Sequence, residues 1–208
     1  MTDADRLTTT SYALLGHLSM RPWTTYELAK QMRRNVRWIW PRAESRIYSE
    51  LKSLVGSGHA QASRSFTGRR PTTTYSITAK EKQAFRAWFS TVPAPMSHEI
   101  EGLLRVFLGA EAQPEALLQA VRKVGADGAE IRDVGAPIGE AYLAGTAPFQ
   151  DQVHVRAFVF DFLWSYSMLL TEWAERTARE LERWPPLDLD QRRRRGQRII
   201  AARMGTRR

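Results

Sequence analysis

The chain has 208 residues, 43% hydrophobic and 25% charged, with four histidines and no cysteine. That length supports one or two domains able to bury a core unaided. The missing thiols exclude disulfide frameworks, thiol nucleophiles and thiolate metal sites. Formal charge is +9 but unevenly laid out: 15 Lys/Arg against 6 Asp/Glu in residues 1–90, 8 against 16 in 91–190, and 8 arginines with no acid in 191–208. Such a partition implies that only part of the chain meets a polyanion. No apolar run approaches the roughly 18 residues of a membrane span. Met1-Thr2-Asp3-Ala4-Asp5 lacks the basic and apolar regions of a signal peptide, so a cytoplasmic protein with no membrane partner is expected.

Residues 11–20 place Leu14, Leu15 and Leu18 on a short helix that Arg21-Pro22 ends. Thr24 or Thr25 suits the N-cap of a second helix, on which Leu28 and Met32 lie one turn apart. A third helix is predicted over 43–57. Its apolar Ile47, Leu51, Leu54 and Val55 fall at i, i+4, i+7 and i+8, and Gly56 and Gly58 stop it. The period then drops to two. Ala62, Arg64 and Phe66 alternate with polar neighbours, as do Thr73, Tyr75 and Ile77, around the basic turn Thr67-Gly68-Arg69-Arg70-Pro71. This predicts a hairpin, followed by a helix that Thr78 caps and that carries Phe85, Trp88 and Phe89.

Val92-Pro93-Ala94-Pro95 marks a domain boundary. Beyond it Ile100, Leu103, Leu104, Phe107 and Leu108 form a helical stripe, and Pro114 suits the first turn of a helix bearing Leu117, Leu118 and Val121. Five glycines between 125 and 149 predict a broken helix or loops. Residues 152–184 contain neither proline nor glycine, room for a helix of about 48 Å. The expected organisation is a DNA-binding winged helix over 1–92, a helical dimerisation and possible effector domain over 96–190, and a mobile Arg-rich tail over 191–208. The fold class is mainly α with a small β-hairpin.

Three helices and a hairpin with a basic tip, in that order, are the plan of a winged helix-turn-helix. With Ile47, Leu51 and Leu54 turned inward, the third helix offers Ser45, Arg46, Tyr48, Ser49 and Lys52 to base edges and phosphates in a major groove. Tyr26, Lys30, Arg42, Arg64, Gly68, Arg69 and Arg70 complete the expected DNA-binding set, the last three at the hairpin tip. Surface arginine on a helix and a hairpin is also common with no ligand at all. The order of the elements and the charge concentrated on them favour nucleic acid.

The sequence resembles the PadR family of transcriptional regulators. The likeness is carried by Leu14-Leu15-Gly16-His17-Leu18-Ser19, Thr25-Tyr26-Glu27-Leu28, Trp40-Pro41, Ser45-Arg46-Ile47-Tyr48-Ser49-Glu50-Leu51 and Gly68-Arg69-Arg70-Pro71 with Tyr75-Ser76-Ile77-Thr78, nearly the whole span 10–90. It implies a homodimeric repressor of an adjacent operon that binds a palindromic operator in double-stranded DNA and releases it on binding a small effector. Tyr26, Ser45 and Tyr48 match positions of DNA docking in that family, and Gly68 and Arg69 match its wing. Thr25 stands where the family has glycine, and Arg70 separates the Gly-Arg pair from its proline.

For the dimer, the long C-terminal helix offers Leu163, Tyr166, Leu170 and Trp173, which either pair two subunits or pack within one. Its aromatic residues either line a pocket for a flat apolar effector or form core. Asp161, Trp164 and Trp173 are the candidates for an effector site. No enzyme is expected. The four histidines are scattered without metal-ligand spacing, and no nucleophile elbow, Walker loop or dinucleotide fingerprint occurs. Neither catalytic residues, a metal nor a cofactor are assigned. The alternative to a regulator is a non-specific DNA- or RNA-binding winged-helix protein without effector control.

Overall fold

A computed structural model describes residues 7–67 and 70–205, with the side chains of Asn35, Ser65, Thr67, Arg70 and Lys80 left aside. The chain divides into two compact units, Met1–Met96 and Ser97–Arg208.

In the first unit, α1 (Thr9–Met20) starts at a capping box between Thr8 and Ser11. β1 (Trp23–Thr24) is a two-residue strand that the sequence pattern does not predict. It is too short for a period to show, and exists because it pairs with a later strand. α2 (Thr25–Asn35) settles its cap on Thr24, whose side chain accepts the Glu27 N–H while the Glu27 carboxylate accepts the Thr24 N–H. α3 (Glu44–Gly56) gives way to Gly58, whose φ of +77° is a left-handed stop that favours glycine. β2 (Ala60–Thr67) and β3 (Arg70–Ile77) pair antiparallel from Ala60↔Ile77 to Thr67↔Arg70, and β1 joins β3 at Trp23↔Tyr75. The sheet order is β1-β3-β2. α4 (Ala79–Trp88) is capped by Thr78.

Leu14, Leu15, Leu18, Trp23, Leu28, Met32, Ile47, Leu51 and Leu54 form the core of this unit. Each such leucine contributes about 1.5–3 kcal/mol relative to exposure. α4 packs on α1 through a Tyr12–Trp88 stack, and Gly16 leaves room for the Phe85 ring, which would lie 3.0 Å from a Cβ there.

The second unit contains α5 (Glu101–Leu108), α6 (Pro114–Leu143), α7 (Val153–Leu181) and α8 (Leu189–Arg203). Leu117, Val121, Ala174 and Leu181 form a core cluster, with Val106, Trp173, Ala178 and Trp184 packed against it. The loops or broken helix expected over 125–149 are instead, up to Leu143, one continuous helix that also takes in Pro137. Its glycines permit close approach to α7. A Cβ on Gly125 would lie 2.8 Å from that of Ala174, one on Gly128 2.8 Å from that of Leu170, and one on Gly139 2.9 Å from the Phe160 ring. Tight packing of the two helices thus offsets the roughly 1 kcal/mol of helix propensity lost at each glycine. Residues 191–203, within the tail 191–208 expected to be mobile, are helical as part of α8. Asp188 and Gln191 form its capping box, Arg192 donates to the carbonyls of Leu187 and Trp184, and Arg195 pairs with Glu180.

Candidate nucleic-acid interface

The apolar side of α3 fixes its outward side. Ile47, Leu51 and Leu54 are buried, so Ser45, Arg46, Tyr48, Ser49 and Lys52 stand exposed on the remaining arc. The Ser49 hydroxyl donates to the Arg46 carbonyl at 3.0 Å, which leaves its oxygen lone pairs facing out. Glu50 is the one charged residue on the buried side of this helix among the described residues, 8% exposed. Its Oε1 accepts from the Thr8 hydroxyl at 2.9 Å and from the Ser11 hydroxyl, and its Oε2 lies 3.6 Å from the Arg46 guanidinium. A single carboxylate therefore ties the exposed helix to the capped start of α1. Sequence reasoning passed over Glu50, although a charged residue three positions after Ile47 on an apolar stripe is the available sign of such a tether.

α2 adds Tyr26, 67% exposed in its first turn, and Lys30, exposed one turn on and on the same side. Glu27 anchors that first turn. Its carboxyl is held below the ordinary carboxylate range first by the Thr24 backbone N–H, which burial opposes in part, with smaller contributions from the Thr24 hydroxyl and Arg21. Arg33 pairs with Glu44 and so joins the end of α2 to the start of α3. Between them Arg37 lies 4.1 Å over the Trp38 ring and Arg42 4.1 Å over the Trp40 ring. Arg42 also donates to the Pro41 carbonyl at 2.6 Å and to Thr10 Oγ1 at 3.4 Å. It builds the corner between α2 and α3 as well as carrying charge.

On the hairpin, Arg64 is exposed opposite Thr73. Arg70 opens β3; Gly68 and Arg69, the rest of the predicted tip, lie outside the described residues, as does the Arg70 side chain. At the root of the hairpin, His59 Nδ1 lies 2.9 Å from Oε1 of the buried Glu81 in the first turn of α4.

In the second unit the predicted effector residues are not assembled into one site. Trp164 stacks on Phe160 at 5.5 Å, beside Gly135 on α6, and Asp161 is exposed. Trp173 packs on the core cluster, nine positions further along α7, or about 13 Å. The predicted dimerisation residues also divide. Leu163 is half-buried. Tyr166 stacks on Phe162 at 6.2 Å and meets His98 edge-on at 5.9 Å, and burial raises its phenol above its ordinary range. Leu170 is buried where α7 passes Gly128, and Trp173 is partly buried against the core cluster of the same unit. Other large apolar side chains of this unit lie in solvent, among them Leu104, Phe107 and Leu108 on α5, and Val155, Phe158, Phe162 and Leu169 on α7. Phe107 is 84% exposed and Phe158 76%.

Among the described residues no helix is long and apolar enough to cross a membrane, and no group of three or more acidic or histidine side chains is placed to hold a metal.

No family model matches the sequence, and no curated protein matches it. Solved structures do. PadR of Bacillus subtilis, crystallised with operator DNA, is 17% identical with a TM-score of 0.66, covering 84% of this chain and 99% of that one. The same protein with p-coumaric acid is 18% identical at a TM-score of 0.60, covering 85% and 99%. A PadR-like transcriptional regulator of Bacillus cereus, BC1756, is 15% identical at a TM-score of 0.70, covering 84% and 98%. The fold of this chain is therefore that of PadR-type regulators, in agreement with the resemblance read from residues 10–90.

Proposed function

We propose that this chain is a sequence-specific DNA-binding transcriptional regulator that acts in the cytoplasm as a homodimer. The observation that carries the reading is α3: its apolar side is buried, and Ser45, Arg46, Tyr48, Ser49 and Lys52 stand exposed on the rest. A helix of that width, polar on its free arc and held by its other side, suits a major groove. Tyr26 and Lys30 at the start of α2, with Arg64, Gly68, Arg69 and Arg70 along the hairpin, supply backbone contacts that set the register. The operator-bound neighbour supports the same use of the fold.

The apolar residues exposed on α5 and α7 support pairing with a second copy, because a surface carrying Phe107, Leu108 and Phe158 in solvent needs cover. Two α3 helices then meet half-sites about 34–36 Å apart on a palindromic operator. Repression of an adjacent operon is the reading that the family resemblance favours. Release by a small aromatic or apolar ligand is supported by the p-coumaric acid complex of the neighbour and by the Phe160–Trp164 stack. The test is a gel-shift titration of the chain on its own upstream DNA against a random duplex, at two salt concentrations. A preference on the order of 10³-fold or more that survives the higher salt is expected. Equal, steeply salt-dependent binding to both duplexes refutes sequence-specific control by that DNA.

A further inference from the structure

The arginines of α8 are not explained by the folding of the second unit. Arg192 and Arg195 are, since they hold α8 to the Leu187 and Trp184 carbonyls and to Glu180. Arg193 reaches Asp190 at 2.8 Å yet its side chain stays 69% exposed. Arg194 and Arg198 make no hydrogen bond or ion pair among the described residues, and both are exposed. Their positions run against helix physics. The run of four arginines begins in the first turn, where the positive end of the helix disfavours cations. Arg194 and Arg198 form a like-charge pair one turn apart on the helix. Were Arg194 and Arg198 present to neutralise the acidic second unit, they would be paired to it as Arg195 is.

We infer that α8 is a second, sequence-independent binding surface for the phosphates of duplex DNA, carried by Arg193, Arg194 and Arg198. Charge complementarity names the occupant. Residues 191–208 hold eight arginines, no lysine and no acid, and guanidinium forks match phosphate geometry. An anionic membrane fits less well, because the exposed apolar side chains of α8, Leu189 at its start and Ile199 and Ile200 near its end, are separated by nine residues, 190–198, that carry none. The inference rests on the proposed DNA binding but concerns a different part of the chain. It makes the second unit a contributor to affinity and not to sequence choice.

The test uses the full chain and the triple variant Arg193→Gln/Arg194→Gln/Arg198→Gln, with the triple lysine variant as a charge-preserving control. Binding to operator and random duplexes is followed by fluorescence anisotropy between about 50 and 200 mM salt. For every phosphate that a removed arginine no longer neutralises, the salt slope becomes shallower by about 0.9, hence by about 2.7 for three. Over that range wild type should therefore lose about 40-fold more affinity than the glutamine variant. The operator-to-random ratio should not change, and the lysine variant should keep the wild-type slope. A glutamine variant with wild-type slope and operator preference overturns the α8 inference and leaves the proposed function standing. Salt-steep binding without preference, lost in the glutamine variant, does the reverse. Absence of duplex binding by wild type overturns both. Retention of duplex binding with loss of binding to phosphatidylglycerol vesicles assigns α8 to membranes and overturns the inference.

Discussion

Removing the Glu50 carboxylate tests whether α3 is held by a buried polar tether or by apolar packing alone. In Glu50→Ala the Thr8 and Ser11 hydroxyls lose a charged acceptor in a largely buried position. Hydrogen bonds to charged groups contribute about 1.5–3 kcal/mol each. The two losses are coupled, because these hydroxyls lie 3.1 Å apart and satisfy each other in part. Arg46 adds little, since its side chain is 58% exposed and is solvated when unpaired. The net loss is about 2–3 kcal/mol, and for a unit of this size it lowers the midpoint by on the order of 10–15 °C. Glu50→Gln keeps an acceptor of the same shape and should lose about 1 kcal/mol. Urea and thermal unfolding followed by circular dichroism give both numbers, and operator binding well below the midpoint gives the functional half. The alanine variant should bind operator more weakly while the glutamine variant stays close to wild type. An alanine variant within about 0.5 kcal/mol of wild type refutes the tether, and α3 is then held by Ile47, Leu51 and Leu54 alone.

Arg46→Ala and Tyr48→Ala should reduce preference for operator over random duplex, each by about 1–3 kcal/mol if the side chain removed is one that reads a base; an equal reduction on every sequence means that α3 does not read bases. Phe158→Glu should convert the proposed dimer to monomer by light scattering, and a persistent dimer moves the interface away from the exposed face of α7. Gly128→Ala should destabilise the second unit by about 1–3 kcal/mol in spite of the better helix propensity, because the new Cβ meets Leu170 Cβ and the Ser167 carbonyl at 2.8 and 3.0 Å. The Glu27 carboxyl is more acidic in the folded chain than in the unfolded one, so its contribution is complete above the ordinary carboxylate range and disappears as pH falls through the folded value. The stability difference between wild type and Glu27→Gln should accordingly shrink between about pH 5 and pH 3; a difference independent of pH excludes the Thr24 N–H as its source.

The first unit was legible because its signals are local. Ile47, Leu51 and Leu54 repeat at helical spacing, Thr24 precedes Glu27 by the three residues of a capping box, and alternation sets in after Gly58. What escaped there depends on contacts distant in sequence. β1 exists through Tyr75 and Thr74, and Glu50 is buried because residues 42 and 39 positions earlier in the chain supply its donors. In the second unit the glycines misled for a definite reason. Local propensity counts each as a helix breaker, whereas at 125, 128 and 139 the absent Cβ is what lets α7 approach, and only the partner helix reveals that. The same partner decides which residues of α7 are free. Leu170 and Phe158 are both large apolar residues on one long helix, and sequence alone could not say that Gly128 takes the first and leaves the second in solvent. The arginines of 192–195 look mobile as a run of like charge, but Glu180 and the carbonyls of Trp184 and Leu187 give two of them fixed partners.

The division of charge bears on regulation as well as on binding. Residues 1–90 carry net +9 and residues 91–190 net −8, so under the proposed function the unit that bears α3 attracts DNA while most of the second unit repels it. Non-specific affinity comes almost wholly from phosphate neutralisation, whereas base contacts add to operator affinity alone. An acidic block therefore lowers binding to random DNA and to an operator by a similar factor, and leaves the ratio between them to base contacts. A protein built to coat chromosomes gains nothing from that arrangement, whereas a regulator that must leave competing sites is released from them more readily. On this view the arginines of α8 restore a limited amount of phosphate binding at one helix, where three side chains set how much affinity the second unit returns. Charge reversal elsewhere in the second unit, at exposed Glu172 or Glu175, should raise affinity for random and operator duplexes by a similar factor and leave their ratio unchanged.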